Sequence, residues 1–297
     1  MMSLEDYLKA NYQPATARIY AFEIEHFLRR MGGESQAERA TYADLAADLM
    51  RLRNRYPNAA TVRRILFAIK AYYRYLVKVG RREDHPGSRL RLRDKARTQV
   101  QSQDLLSSAE LARLLEPRAE RYGLLAGRNA VVIGLLVHQA LTVREVGLLK
   151  VGDIDLSTAT VKVTATKRTL ARTLKLAAPQ VMQLHGYLAD DRPKLVRKEI
   201  DALILTSRGT AERGEGVHYL VETLRPLVPG KRLTPTVIRQ SVIANRLKEG
   251  GGLRQVQVFA GHKKVSSTEA YRETNLEELK AAVARYHPLG HDVKLGD

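Results

Sequence analysis

The stretch LTPTVIRQSVIANRLKEGGGLRQVQVFAGHKKVSSTEAY, residues 233 to 271, places an arginine at 239, a Gly-His pair at 261 and 262, and a tyrosine at 271. It reads as helix and turn throughout. Tyr271 is flanked by Ser266, Ser267, Thr268, Glu269 and Arg272 instead of the apolar neighbours of a core residue. A tyrosine on a short helix ordinarily packs its ring and leaves its hydroxyl at the surface. The rest of the chain decides whether this one does more.

The 297 residues suffice for two domains, each with its own core. A 44% hydrophobic content is that of a globular chain, and the 50 Lys and Arg exceed the 32 Asp and Glu by 18. Such an excess points to a polyanionic partner, nucleic acid before membrane, since no apolar run reaches the eighteen residues a spanning helix needs. The polar N-terminus MMSLEDYLKANYQ does not read as a secretory signal. With no cysteine, disulfides, thiolate zinc sites and cysteine nucleophiles are excluded, and a cytoplasmic location is expected. The closest histidines, His287 and His291, are separated by Pro288 and Gly290, so no metal site is assigned.

Four helices are expected in the first eighty residues. One opens near Ser3 with Leu4, Tyr7 and Leu8; one follows Pro14 with Ile19, Phe22, Ile24 and Phe27; one spans Thr41 to Arg53. The fourth repeats Val62, Ile65, Leu66, Ile69, Tyr72, Tyr73 and Leu76 at helical spacing and stops at Gly80. Its other face carries Arg63, Lys70, Arg74 and Lys78, with no acid between Asp48 and Glu83, which suits phosphate contact. A Pro-Gly pair then opens a basic linker with Arg89, Arg91, Arg93, Lys95 and Arg97, expected to lie along DNA.

A new helix start follows at Leu106-Ser107-Ser108-Ala109-Glu110, with Ser107 or Ser108 as the cap. NAVVIGLLVHQAL, residues 129–141, reads as a buried helix, and VREVGLLKVGDIDL as a second helix ending near Gly152. The period then changes to two at Val161 and Val163 and again at Leu174 and Leu176, predicting a hairpin with a loop from Thr166 to Ala171. A further short strand is expected at Ala202 to Thr206. The expected fold is mainly α: a helical N-terminal domain (1–82), a basic linker (83–105), a mixed α/β domain with a small antiparallel sheet (106–290) and a tail (291–297).

In the order and spacing of Arg239, His262 and Tyr271, the chain resembles the tyrosine recombinases, or phage integrases, over nearly its whole length. The resemblance implies a SAM-like core-binding bundle followed by a catalytic domain that cleaves and rejoins DNA through a 3′-phosphotyrosyl intermediate. It implies Tyr271 as nucleophile, Arg239 and His262 around the phosphate, and Lys167 in the hairpin loop as the acid that protonates the leaving 5′ oxygen. It also implies double-stranded DNA as partner, with Arg63, Lys70, Arg74, Lys78, Arg89, Arg91, Arg93 and Arg97 as contacts, and a homo-oligomer, a tetramer on two sites, with no membrane association.

That chemistry is self-consistent. A phosphodiester is anionic, so attack on it requires cationic donors fixed in advance, and a guanidinium presents a rigid fork to two phosphate oxygens. A phosphotyrosyl link conserves the energy of the broken bond for resealing. Cationic side chains can do this without metal or cofactor, and none is expected. Two positions depart from the family pattern. Where it has an arginine before an acid on the helix after the buried one, this chain reads Ala140-Leu141-Thr142-Val143-Arg144-Glu145, so Thr142 occupies the first arginine's slot. Thr236 stands where histidine or lysine is usual. Arg144, Arg168 and Arg172 are candidates to compensate, Arg168 foremost. The alternative is a DNA-binding descendant without catalysis that regulates or assists another recombinase. The segment NLEELKAAVARYHPLG, capped by Asn275 with Glu278 in the capping-box position, predicts a terminal helix with the stripe Leu276, Leu279, Val283 and Tyr286. That helix either covers its own domain or, as the resemblance implies, docks on a neighbouring protomer.

Overall fold

The computed structural model describes residues 2–92 and 104–272. The chain forms two compact units, Met1–Thr98 and Gln99–Asp297, with separate hydrophobic cores. Arg93, Arg97 and the predicted helix from Asn275 lie outside the described residues.

The first unit is a helical bundle of α1 (Leu4–Asn11), α2 (Pro14–Arg30), α3 (Glu34–Arg39), α4 (Tyr42–Arg55) and α5 (Ala59–Lys78). The start signals act as read: the Ser3 hydroxyl accepts from the Asp6 N–H, and Thr41 and Asp44 form a reciprocal capping box. The α5 stripe is buried throughout, with Tyr72, Tyr73 and Leu76 closed off against Phe27 and Ile24 of α2. Of the apolar residues that mark α2, Ile19 and Phe22 are exposed, and the helix is buried along Ala17, Ile24 and Phe27. α3 adds a turn that its six residues are too few to advertise by period. Tertiary pairing occupies several of this unit's arginines, one acid to each, and leaves the net basic excess unchanged. Asp48 accepts from Nε and Nη2 of Arg30, both at 2.9 Å, Glu23 from Arg64 at 2.7 Å, and Glu34 from Arg81 at 2.9 Å.

In the second unit, Ser107 caps α6 (Ser108–Arg113) in a box with Glu110, and α7 (Ala126–His138) is the buried central helix. α8 (Val143–Val146) is far shorter than the predicted helix to Gly152, since the chain turns at Gly147, where a Cβ would sit 2.8 Å from the Glu212 carbonyl oxygen. A backbone passing that close forbids a side chain. The sheet has three antiparallel strands in the order β1 (Ile154–Asp155), β2 (Thr160–Val163), β3 (Arg172–Lys175), one more than the expected hairpin. The predicted strand at Ala202 to Thr206 is not one: its residues make only isolated bridges, Ala202 with Lys150 and Leu205 with Ala211. Its apolar run, Leu203 to Leu205, is core filling.

Helices α9 (Ala178–Gly186), α10 (Arg192–Leu195), α11 (Glu215–Thr223), α12 (Pro235–Lys248) and α13 (Leu253–Ala260) complete the unit. A buried pair braces α7 to the turn before α11: Arg128 donates Nη2 to Glu212 Oε2 at 2.7 Å, and Glu212 Oε1 accepts from the N–H groups of Gly214 and Gly216. The polypeptide is helical again from 266 to 272.

Candidate active site

α12 starts at Thr234, whose hydroxyl accepts from the Val237 N–H, with Pro235 in the first turn. One turn on, Arg239 points into the protein and is 8% exposed. Its Nη1 donates to the Ala140 carbonyl and its Nη2 to the Ala260 carbonyl, both at 2.6 Å, so the guanidinium ties the turn before α8 to the end of α13. Ala140 takes the left-handed backbone conformation, φ 52°, which costs a residue with a Cβ roughly 1 kcal/mol or more. Burial lowers the Arg239 pKa and Glu145 opposes that shift.

Glu145 is the hub. Its Oε2 accepts from the backbone N–H and hydroxyl of Thr142, at 2.8 and 2.9 Å, and lies 3.7 Å from Arg239 Nη1. Its Oε1 accepts from the Thr169 hydroxyl at 2.8 Å and from Arg172 Nη1 at 2.6 Å. Burial raises its pKa, but the bonds from Arg172, Thr142 and Thr169 outweigh that and hold it below the ordinary value. Thr142 is therefore the N-cap of α8. The Thr142-x-x-Glu145 spacing is a capping box legible in the sequence and overlooked there.

The hairpin loop is fastened to the Gly-His pair. Leu170 donates its N–H to the Gly261 carbonyl at 2.8 Å, and Thr169 bridges to His262. Lys167 is exposed on that loop. His262 shares a 2.8 Å hydrogen bond between Nδ1 and the Thr268 hydroxyl, and its carbonyl accepts from Gln257 Nε2 at 3.1 Å. Burial, then Arg239 and Arg172, push its pKa down to about 4, so the imidazole is neutral at physiological pH. Tyr271 stacks beside it, ring centroids 6.2 Å apart and 13° from parallel. Despite its polar sequence neighbours, Tyr271 is 7% exposed and belongs to the core, because Thr268 and Tyr271, three residues apart, form the inward face of this helical segment. Burial raises the phenol's pKa and the Arg239 charge opposes it, so the two groups sense each other directly.

Of the sequence candidates, the structure brings Arg239, His262 and Tyr271 together and leaves Lys167 at the rim. Thr236, Arg144 and Arg168 are exposed. Arg168, the foremost compensating candidate, is exposed, whereas Arg172, at the start of β3, is turned inward. The first unit carries the basic candidates. Arg74 and Lys78 are exposed, Arg74 donating to the Tyr12 hydroxyl at 3.1 Å, while Lys70 donates to the Ser88 carbonyl at 3.1 Å. Arg89 and Arg91 are exposed and Arg63 is half-buried.

Residues 105–278 match the model of the phage integrase family, and residues 3–80 that of the phage integrase N-terminal SAM-like domain. The chain belongs to the phage integrase family. It is 27% identical over 294 residues to tyrosine recombinase XerC of Pelotomaculum thermopropionicum (95% of this chain, 94% of the relative). It is 26% identical over 280 residues to tyrosine recombinase XerD of Oceanobacillus iheyensis (92% of each). The chain also shares its fold with the XerH site-specific recombinase in a pre-cleavage complex with difH substrate (TM-score 0.72, 19% identity, 94% of this chain and 84% of that one). A lambda integrase dimer bound to a COC′ core site aligns with a TM-score of 0.67, 16% identity and 91% and 75% coverage. The expected mainly helical fold with a small antiparallel sheet is borne out, and so is the resemblance itself.

Proposed function

We propose that this protein is a site-specific DNA recombinase that cleaves and rejoins strands through a 3′-phosphotyrosyl intermediate. The observation that carries it is the buried convergence of Tyr271, His262 and Arg239 beside a hairpin whose loop carries Lys167. Tyr271 Oη attacks phosphorus as the bond from phosphorus to the 5′ oxygen breaks. Neutral His262 is the available acceptor for the phenolic proton, and Lys167 delivers a proton to the departing oxygen. Arg239, fixed by two carbonyls, needs no reorganisation to meet the charge on the non-bridging oxygens. Thr142 in the first arginine's slot favours a non-catalytic DNA-binding descendant, but the named relatives are recombinases and weigh for the enzyme.

The substrate is double-stranded DNA, a reading supported by the difH substrate of the XerH complex, the core site of the lambda integrase complex and the excess of 18 basic residues; the working form is a homo-oligomer, a tetramer on two duplexes. A cytoplasmic location accords with this substrate; no described helix is long and apolar enough to cross a membrane. The linker from 83 to 105 joins the core-binding and catalytic portions. The test is direct. Duplexes from a randomised pool that stay attached in SDS are recovered, and peptide mapping is expected to find the nucleotide on Tyr271; attachment nowhere, or at another residue, refutes the proposal.

The basic face of α5 makes a separate prediction. Arg74→Glu with Lys78→Glu is expected to weaken binding to the recovered duplex and to lower the slope of log K against log salt by about 2, one phosphate contact per residue. Filter binding at several salt concentrations measures it, and an unchanged slope excludes this face from the DNA.

A further inference from the structure

Thr142 leaves the site one phosphate-binding cation short of the family pattern, and its hydroxyl is committed to Glu145. We propose that Arg172 is a catalytic residue that supplies the missing cation, its Nη2 donating to a non-bridging oxygen of the scissile phosphate. This rests on the recombinase reading above and adds a residue to it.

Three observations converge on Arg172. The first is its fixation. Its side chain is 3% exposed, with Nε donating to the Phe259 carbonyl at 2.7 Å and Nη1 to Glu145 Oε1 at 2.6 Å. That leaves Nη2, which is buried and has no acceptor among the described residues. A guanidinium with one edge bolted and a donor unspent is preorganised for an anion. The second is room. A Cβ at Gly261 would lie 2.6 Å from Arg172 Nη1 and 3.0 Å from Cζ, so the glycine before His262 is what lets the guanidinium pass this close. With φ 68° the position also suits glycine conformationally.

The third is charge. Arg172 and Arg239 sit on opposite oxygens of a single carboxylate, at 2.6 and 3.7 Å, beside a histidine that is neutral. Two cations against one anion leave a buried positive charge, and one phosphodiester balances it. In the attack, the bond from Tyr271 Oη to phosphorus forms as that to the 5′ oxygen breaks. Arg239 and Arg172 would each hold one of the two non-bridging oxygens. Arg144 and Arg168, both exposed, have no comparable fixation.

The experiment separates charge neutralisation from bracing. Full-length protein is given a nicked duplex of the recovered site carrying, at the cleaved position, either phosphate or an uncharged methylphosphonate. Arg172→Ala is expected to form the adduct roughly 100- to 1000-fold more slowly on phosphate, but within about tenfold of wild type on methylphosphonate, which has no anionic oxygen to neutralise. An equal loss on both DNAs would show that Arg172 only braces the hairpin, and no loss on phosphate would remove it from the site; either overturns the proposal. If the alanine variant does not melt cooperatively, Arg172→Lys carries the same comparison, with a loss confined to phosphate expected and a loss on both overturning. A wild type that attaches to neither DNA instead refutes the recombinase reading itself.

Discussion

Tyr271→Phe is expected to reduce the SDS-resistant DNA adduct to background while leaving the folded protein and its DNA binding intact. The phenol oxygen is the atom that would bond to phosphorus, and among the described residues no other phenol is stacked against His262 within the field of Arg239. Its removal costs the fold little. The ring supplies the packing, and among the described residues the hydroxyl has no hydrogen-bond partner, so the change in stability should stay below about 1 kcal/mol. Thermal melting and filter binding of the variant, run beside the adduct assay, check both halves. An adduct surviving in Tyr271→Phe would place the nucleophile elsewhere. A large fall in melting temperature would mean that the residue is chiefly a core tyrosine.

Glu145→Ala is expected to be the most destabilising single change in the site. Among the described residues, Glu145 is the sole counter-ion to both Arg172 and Arg239, whose side chains are 3% and 10% exposed. Removing one partner of a buried ion pair typically costs about 3–5 kcal/mol, because the remaining charge is stranded in low dielectric. For a unit of this size that corresponds to a fall in melting temperature of roughly 10 °C. Adduct formation should fall with it, since the hub also holds Thr142 and Thr169. The pH dependence follows from the lowered carboxyl pKa. The stabilisation is fully present above the unfolded value of about 4.3 and is lost as pH falls through the lower folded value. Glu145→Gln, which keeps an acceptor for Thr142, should therefore destabilise less and flatten the acid limb of the melting profile. Melting Glu145→Ala and Glu145→Gln beside wild type between pH 3 and 7 decides this; an unaltered acid limb would show that the hub is not the group titrating.

Much of the fold was legible because its signals are local. Caps at Ser3, Thr41 and Ser107, the stop at Gly80 and the period of α5 depend on residues within one or two turns of each other. The errors occur where contact is long-range. Ile19 and Phe22 fit an apolar stripe but are exposed. α8 ends after four residues because a carbonyl sixty-five positions later in the chain passes over Gly147. The strand expected at Ala202 has suitable residues and no neighbouring strand to form a ladder with.

Among the three candidate arginines, only Arg172 carries a strand signal for burial. It shares parity with Leu174 and Leu176, so alternation along β3 places it on the buried face. That signal was available, but a buried arginine is improbable without a known counter-ion. The counter-ion, Glu145, is twenty-seven residues away.

The linear order of residues was enough to specify Tyr271, His262 and Arg239, since all three fall in one frame of helices and tight turns whose geometry is set by near neighbours. Which arginine enters the site was decided only in three dimensions. A guanidinium can be buried where a carboxylate, two carbonyls and a glycine without a Cβ meet around it, and those groups come from three separate parts of the chain.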